Sequence, residues 1–163
     1  MSHKTKHAYS ASFDEIYAKL IDEAFLQAKY EGIGSRNVSF SECSQDGDVV
    51  MIKWTREVPA NPPAFARKFL KEWNSLDETM EWSLNSDGTA HGDYSCKTLG
   101  VPGMLTGNFG LRPDGTGCVE DIVMTSVVKI PLVGKKIAAI IEDESAQSLA
   151  KEYTFTRGEL GEA

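Results

Sequence analysis

Cysteine is scarce in this sequence and widely spaced. Cys43, Cys96 and Cys118 are odd in number and lie far apart along the chain. A disulfide framework or a zinc knuckle needs cysteines in pairs at short spacing. We therefore expect free thiols in a reducing cytoplasm, with neither a bound metal nor a cofactor.

Long apolar runs are missing as well, and positive charge is in deficit. The first residues are polar and lead into no hydrophobic segment of the signal-peptide kind, and no stretch has the length of a membrane helix. The net charge is −7 and the pI is near 5.0. A phosphate backbone would be repelled overall. The sequence thus predicts a cytoplasmic protein without nucleic-acid binding or integral membrane association, and it leaves the oligomeric state open.

Signatures of common catalytic sites are also absent. The sequence contains no Gly-x-Ser-x-Gly elbow, no phosphate-binding glycine loop and no His-Glu-x-x-His pair. Of its three histidines, we interpret His3 and His7 as solvated residues of the N-terminal tail rather than metal ligands. His91 has the parity of a solvent-facing strand residue. These absences favour a binding protein over an enzyme.

The first third of the chain alternates between strand and helix signals. Residues 7–11 read as a short strand, and residues 1–6 before it as a flexible segment. Ser12 with Glu15 forms the pattern of a capping box, which starts a helix, and Asp22 is positioned to cap a second helix. Gly32 is where this helical run should stop.

Three Asp-Gly pairs then predict three β-hairpins, because these tight turns need the positive φ that glycine accepts. The flanking segments alternate between apolar and polar residues, so they predict six strands with one apolar and one wet face. The composition, 41% apolar in 163 residues, suits one α+β domain with its own core. The turns are Asp46-Gly47, Asp87-Gly88 and Asp114-Gly115.

After Pro131 the apolar period becomes helical, which predicts a helix over residues 134–157 across the concave face of an antiparallel sheet. Residues 159–163 should be flexible. A strongly curved sheet cannot lie flush against one straight helix, so the gap must hold side chains, water or ligand. One stripe of this helix carries Ile137, Ile141, Ser145, Leu149 and Glu152.

The order of strand, helix pair, six strands and long C-terminal helix resembles the START-like superfamily, also called SRPBCC or helix-grip proteins. Three segments carry the resemblance: residues 13–17 (FDEIY), 65–69 (FARKF) and 128–137 (VKIPLVGKKI). They look most like a mainly actinobacterial family of that superfamily, domain-of-unknown-function family 2505. The resemblance implies a ligand cavity between sheet and helix. It implies no defined reaction, because the superfamily includes lipid carriers, hormone receptors and aromatase/cyclases.

The inward parity of the strands predicts the residues that line such a cavity. Aromatic rings and methionine would suit a flat or acyl ligand. From the sheet we expect Tyr9, Trp54, Met80, Trp82, Tyr94, Phe109 and Met124 to contact the ligand. From the helix we expect Ile137, Ile141, Ser145 and Leu149.

Three charged residues share the apolar parity of their strands, namely Arg56, Glu78 and Glu120. Either they line the cavity as paired groups that orient a polar ligand head, or they sit at strand ends and reach water. We favour the second interpretation. Glu152 on the helix stripe has the same two interpretations.

Three functions remain open at this point. The leading one is a carrier or sensor that binds a small lipid-like or polyketide-like ligand. The second is a cyclase or dehydratase with Glu78, Tyr94 and Glu120 as candidate acid–base groups. Either glutamate deep in the cavity and hydrogen-bonded to Tyr94 would favour this enzyme over the carrier. The third is an interaction module whose core is filled.

Overall fold

The computed structural model describes residues 2–162 and shows one antiparallel sheet with three helices on its concave side. The strand order is β1-β7-β6-β5-β4-β3-β2, a seven-stranded meander whose last strand returns beside the first. The strands are β1 (Ser2–Tyr9), β2 (Arg36–Asp46), β3 (Val49–Pro59), β4 (Trp73–Leu84), β5 (Ala90–Thr98), β6 (Gly103–Asp114) and β7 (Gly117–Val128). The helices are α1 (Phe13–Leu20), α2 (Glu23–Gly32) and α3 (Gly134–Glu159), with a 3₁₀ turn at Ala64–Ala66.

The three Asp-Gly pairs lie at hairpin turns as predicted. Gly47, Gly88 and Gly115 have φ values of 61°, 84° and 61°, which residues with a side chain rarely adopt. Each turn fixes the register of its hairpin, so that Ile52 opposes Cys43 and Met80 opposes Tyr94. The predicted α+β class and antiparallel sheet are therefore confirmed.

Both predicted helix starts are also confirmed. The Ser12 hydroxyl accepts a hydrogen bond from the Glu15 amide at 3.2 Å, and the Asp22 carboxylate accepts one from the Phe25 amide at 3.2 Å. Each bond satisfies an amide that would otherwise be unpaired in the first helical turn. The second cap starts α2 directly after α1, and α2 closes one side of the sheet.

The first strand differs from its predicted bounds of 7–11. It runs over Ser2–Tyr9, so residues 2–6, expected to be flexible, pair with β7 from Thr125 to Asp121. Its inward positions include His3, Thr5 and His7. Because these residues are polar, the alternation of apolar and polar residues that predicts a strand is missing. The interpretation of His3 and His7 as solvated tail residues is wrong. Both lie in β1, the two ring nitrogens of His3 are buried, and the side chain of His7 is buried against α3.

The long helix α3 begins at Gly134 as predicted and ends at Glu159, two residues beyond the predicted end. A Cβ at Gly134 would lie 2.6 Å from the Val128 carbonyl oxygen, so the close approach of helix and strand requires glycine there. The helix packs on β7, β1 and α2. No helix within residues 2–162 combines the length and apolar character needed to cross a membrane.

The buried apolar residues form two clusters. The larger lies between the sheet and the three helices. The smaller contains Ala66, Leu70, Val101 and Ile137, and it anchors the start of α3 to the loop that joins β3 to β4. Ile137 is fully buried in this smaller cluster and does not border the cavity described below, so its predicted place in the cavity wall is wrong.

Candidate functional site

A cavity of about 200 Å³ lies between the concave face of the sheet and helices α2 and α3. Among its lining residues only Pro59, Glu144, Gln147 and Lys151 are exposed, so the cavity opens between the β3–β4 loop and the middle of α3. Of the residues predicted to contact a ligand, all but Ile137 border it. They are Tyr9, Trp54, Met80, Trp82, Tyr94, Phe109, Met124, Ile141, Ser145 and Leu149.

The sheet side of the cavity is an aromatic wall. The Tyr94 ring lies 6.3 Å from Trp54 and 6.0 Å from Phe109, and Phe109 makes an edge contact with Trp82 at 6.2 Å. Tilted and edge-to-face pairs at these distances are favourable. A Cβ at Gly107 would lie 2.5 Å from the sulfur of Met124, so the missing side chain on β6 provides the space that Met124 occupies.

A buried ion pair lies in this wall. The Arg56 guanidinium donates through Nε to Glu78 Oε2 at 2.8 Å and through Nη2 to Glu78 Oε1 at 3.0 Å. Ser35 accepts from Arg56 Nη1 at 3.0 Å, and the Tyr94 hydroxyl donates to Glu78 Oε1 at 2.6 Å. The side chains of Arg56 and Glu78 are 6% and 1% exposed, so the interpretation that they reach water at strand ends is wrong.

A second ion pair joins α2 to α3 at the same cavity. Lys29 Nζ lies 3.1 Å from Glu152 Oε1, and the Tyr30 ring lies beneath both cations, 4.2 Å from Arg56 and 5.0 Å from Lys29. Burial alone would raise the pKa of Glu152, but the neighbouring Lys29 and Arg56 charges lower it below its ordinary value. Glu152 is therefore an ionised cavity group rather than a solvated one.

The third charged group is Glu120 on β7, which is 4% exposed and also does not reach water at a strand end. It opposes His7 across the β1–β7 pair, with 3.7 Å between His7 Nδ1 and Glu120 Oε1. The His7 ring stacks on Tyr153 at 4.2 Å. A carboxylate and an imidazole therefore border the cavity at the end formed by β1.

The two tyrosines Tyr9 and Tyr94 that border the cavity are neutral, because their pKa values are raised. Burial, followed by the nearby Cys96 and Glu78 groups, raises the pKa of Tyr94 well above its ordinary value. Burial and then Glu120 and Glu152 do the same to the pKa of Tyr9. Both hydroxyls therefore act as hydrogen-bonding groups that keep their protons near neutral pH.

Sequence analysis missed Lys29, Tyr30 and Ser35. The first two share the buried face of α2 with Leu26, so their helical spacing was a usable signal. Ser35 stands in a connection where spacing carries no such information. His91 is solvent-facing as predicted and lies 3.0 Å from Asp93. Within the described part of the chain, no group of three or more His, Cys, Asp or Glu residues is arranged to hold a metal ion.

The curved sheet around α3 is the helix-grip fold of START-like proteins. Solved structures share this fold at low sequence identity. One is a START superfamily protein from Mycobacterium smegmatis, with a TM-score of 0.58, 13% identity and 98% of each chain covered. Another is TTHA0849 from Thermus thermophilus, with a TM-score of 0.59, 14% identity and 94% of this chain and 95% of that chain covered. Ara h 8.0201 has a TM-score of 0.55 at 9% identity, with 95% of this chain and 96% of that chain covered.

Residues 4–159 match the family described as "Protein of unknown function (DUF2505)", and the chain belongs to that family. The resemblance noted from the sequence is thereby confirmed. No curated protein matches the chain.

Proposed function

We propose that this protein binds a small apolar ligand in the cavity between the sheet and α3, as a carrier or sensor. The observation that carries the proposal is the cavity itself, of about 200 Å³, with an aromatic wall and an opening beside α3. Pockets that are mostly apolar and contain a few fixed polar groups are typical ligand sites. The START superfamily neighbour supports the same class of function.

The size of the cavity limits the ligand. Drug-sized ligands occupy pockets of roughly 300–1,000 Å³. A cavity of about 200 Å³ suits a smaller molecule, or one end of a longer chain whose remainder leaves through the opening. Met80 and Met124 lie in its wall, and their flexible side chains can adapt to the shape of the occupant.

A cyclase or dehydratase is the second candidate, and one contact favours it. The Tyr94 hydroxyl donates to the deeply buried Glu78, which is the arrangement that an acid–base site in this cavity would need. However, Arg56 and Tyr94 occupy three of the four acceptor positions of Glu78, so only one lone pair, on Oε2, is free, and the carboxylate is paired with a buried guanidinium. A general base needs a free lone pair facing its substrate. This contact meets the condition given in the sequence analysis for ranking the enzyme above the carrier. We nevertheless rank binding first, because the Arg56 pair fixes Glu78 as an acceptor that is better suited to orient a polar group than to move a proton.

Filling the cavity tests the proposal. Ser145 borders the cavity in the middle of α3, so Ser145→Trp should occupy it. An apolar dye whose fluorescence depends on its environment should bind the native wild type and raise its Tm by mass action. Ser145→Trp should abolish this binding, and Ala150→Trp should not, because Ala150 is exposed on the same helix and does not border the cavity.

Two outcomes would contradict the proposal. Dye that binds only on heating would mean that the interior is closed to ligands and would favour an interaction module. Equal binding by native Ser145→Trp and wild type would mean that the dye binds outside this cavity. The enzyme is tested separately, by mass spectrometry of a bound hydroxylated ligand after incubation. Loss of water from the ligand with wild type, and none with Tyr94→Phe, would favour the dehydratase.

A further inference from the structure

Not every buried charged side chain that borders the cavity has an oppositely charged partner at hydrogen-bond distance. Arg56 is held by Glu78 and Lys29 by Glu152, at 2.8 Å and 3.1 Å. Glu120 faces only His7, and the 3.7 Å between His7 Nδ1 and Glu120 Oε1 is longer than a hydrogen bond. Within residues 2–162, no donor group makes a hydrogen bond to its carboxylate. Glu120 is thus a mostly buried acceptor, 4% exposed, that borders the cavity.

We propose that the ligand presents a hydrogen-bond donor, in the form of an alcohol, phenol or amine, to Glu120, and that ligands headed by a carboxylate are excluded. This inference rests on the proposed function and names the class of molecule that the cavity takes. A carboxylate with so little exposure is poorly solvated, so a ligand that supplies a donor gains more than its apolar burial alone.

Tyr9 lies beside this acceptor. It opposes Cys118 in the β1–β7 pair and is a diagonal neighbour of Glu120 on the same face of the sheet. The Tyr9 hydroxyl borders the cavity and forms no hydrogen bond within the described chain. A hydroxyl both donates and accepts. A ligand alcohol could therefore donate to Glu120 and also meet Tyr9, whereas a second carboxylate would face Glu120 as a like charge.

The overall charge of the lining points the same way. It contains three cations and four carboxylates, so with His7 neutral it carries one excess negative charge. Both buried cations already face carboxylates. A carboxylate placed inside the cavity would need to displace Glu78 from Arg56 or Glu152 from Lys29, and breaking a buried pair is strongly unfavourable. The third cation, Lys151, is exposed at the opening and does not reach the Glu120 end.

Three probes of equal chain length test the inference: 1-hexanol, hexylamine and hexanoate, titrated into the full chain near neutral pH. Hexanol and hexylamine should bind at least about tenfold more tightly than hexanoate, a difference of about 1.4 kcal/mol. Glu120→Gln should weaken the binding of hexylamine by about tenfold and reduce the difference in affinity between hexylamine and hexanoate. The substitution removes the charge of the side chain and keeps its shape. Glu31→Gln makes the same change at an exposed position outside the cavity and should leave the order unchanged.

Each of the other outcomes contradicts either the inference or the proposed function. Hexanoate that binds wild type as tightly as hexanol would overturn the inference and leave the proposed function standing. Binding of none of the three probes would overturn both. If folded Glu120→Gln binds the three probes in the same order of affinity as wild type, Glu120 is not the group that selects the ligand. The wild-type ranking needs no variant, so the donor preference is testable even if Glu120→Gln does not fold.

Discussion

Replacing Arg56 with methionine would leave the Glu78 carboxylate buried without its counter-charge. Glu78 is 1% exposed and would retain only the Tyr94 hydroxyl as a donor. Removing one partner of a buried ion pair costs about 3–5 kcal/mol. A domain of this size loses about 2–4 °C of Tm for each kcal/mol, so Arg56→Met should lower Tm by roughly 6–20 °C.

The assay is urea or thermal unfolding of four matched proteins. Arg112→Met is the control, because Arg112 forms a pair of similar length with Asp121, at 3.0 Å, but both side chains are 44% or more exposed. Exposed pairs contribute about 0–1 kcal/mol. The double variant Arg56→Met/Glu78→Leu should recover most of the loss, since it removes both charges. If Arg56→Met costs no more than Arg112→Met, the buried ionic network described above is not present in solution.

Further predictions concern the thiols and acid stability. Cys43 is exposed whereas Cys96 and Cys118 are buried, so a thiol reagent should label one cysteine in the native protein and all three after unfolding. Burial, followed by Glu120, raises the pKa of Cys118 to about 11, so it should stay unreactive in native protein at pH 8, and rapid labelling there would contradict its burial. Acid should destabilise the fold through Glu152: burial raises its pKa, but the Lys29 and Arg56 charges and the hydrogen bonds from Lys29 and Ser148 together lower the pKa below its ordinary value in the native state. The contribution of ionised Glu152 to stability is fully present above the ordinary glutamate pKa and is lost as the pH falls through the lowered pKa of the native state. The midpoint of urea unfolding, measured from pH 6 to pH 3, should therefore fall less steeply with pH in Glu152→Gln than in wild type. Equal slopes in the two proteins would contradict the pairing.

The fold was predictable because local signals agreed with one another. Asp-Gly turns, period-two flanks and the caps at Ser12 and Asp22 each predicted one element, and together they predicted an antiparallel sheet with a helix pair before it. Residues 2–6 of the first strand were not predicted, because the inward residues His3 and Thr5 are polar. No pattern of apolar residues marks an edge strand whose inner face meets charged groups of a neighbouring helix and strand.

The aromatic wall was predictable from parity, but the charged network was not. Parity placed Arg56 and Glu78 on the inner face, and their mutual distance depends on the register of β3 and β4, in which Glu78 opposes Trp54. That register brings the two side chains together diagonally across the pair. Lys29 is a different case, because it comes from α2 and reaches Glu152 only once α2 and α3 pack together.

Methionine methyl NMR during titration with 1-hexanol tests ligand binding in the cavity most directly. Met80 and Met124 lie in the cavity wall, whereas Met51 and Met104 lie on the opposite face of the sheet and serve as internal controls. We expect saturable shifts of the Met80 and Met124 methyl signals, with those of Met51 and Met104 unmoved. Shifts confined to Met51 and Met104, or no shift at any methionine, would contradict a ligand site between the sheet and α3.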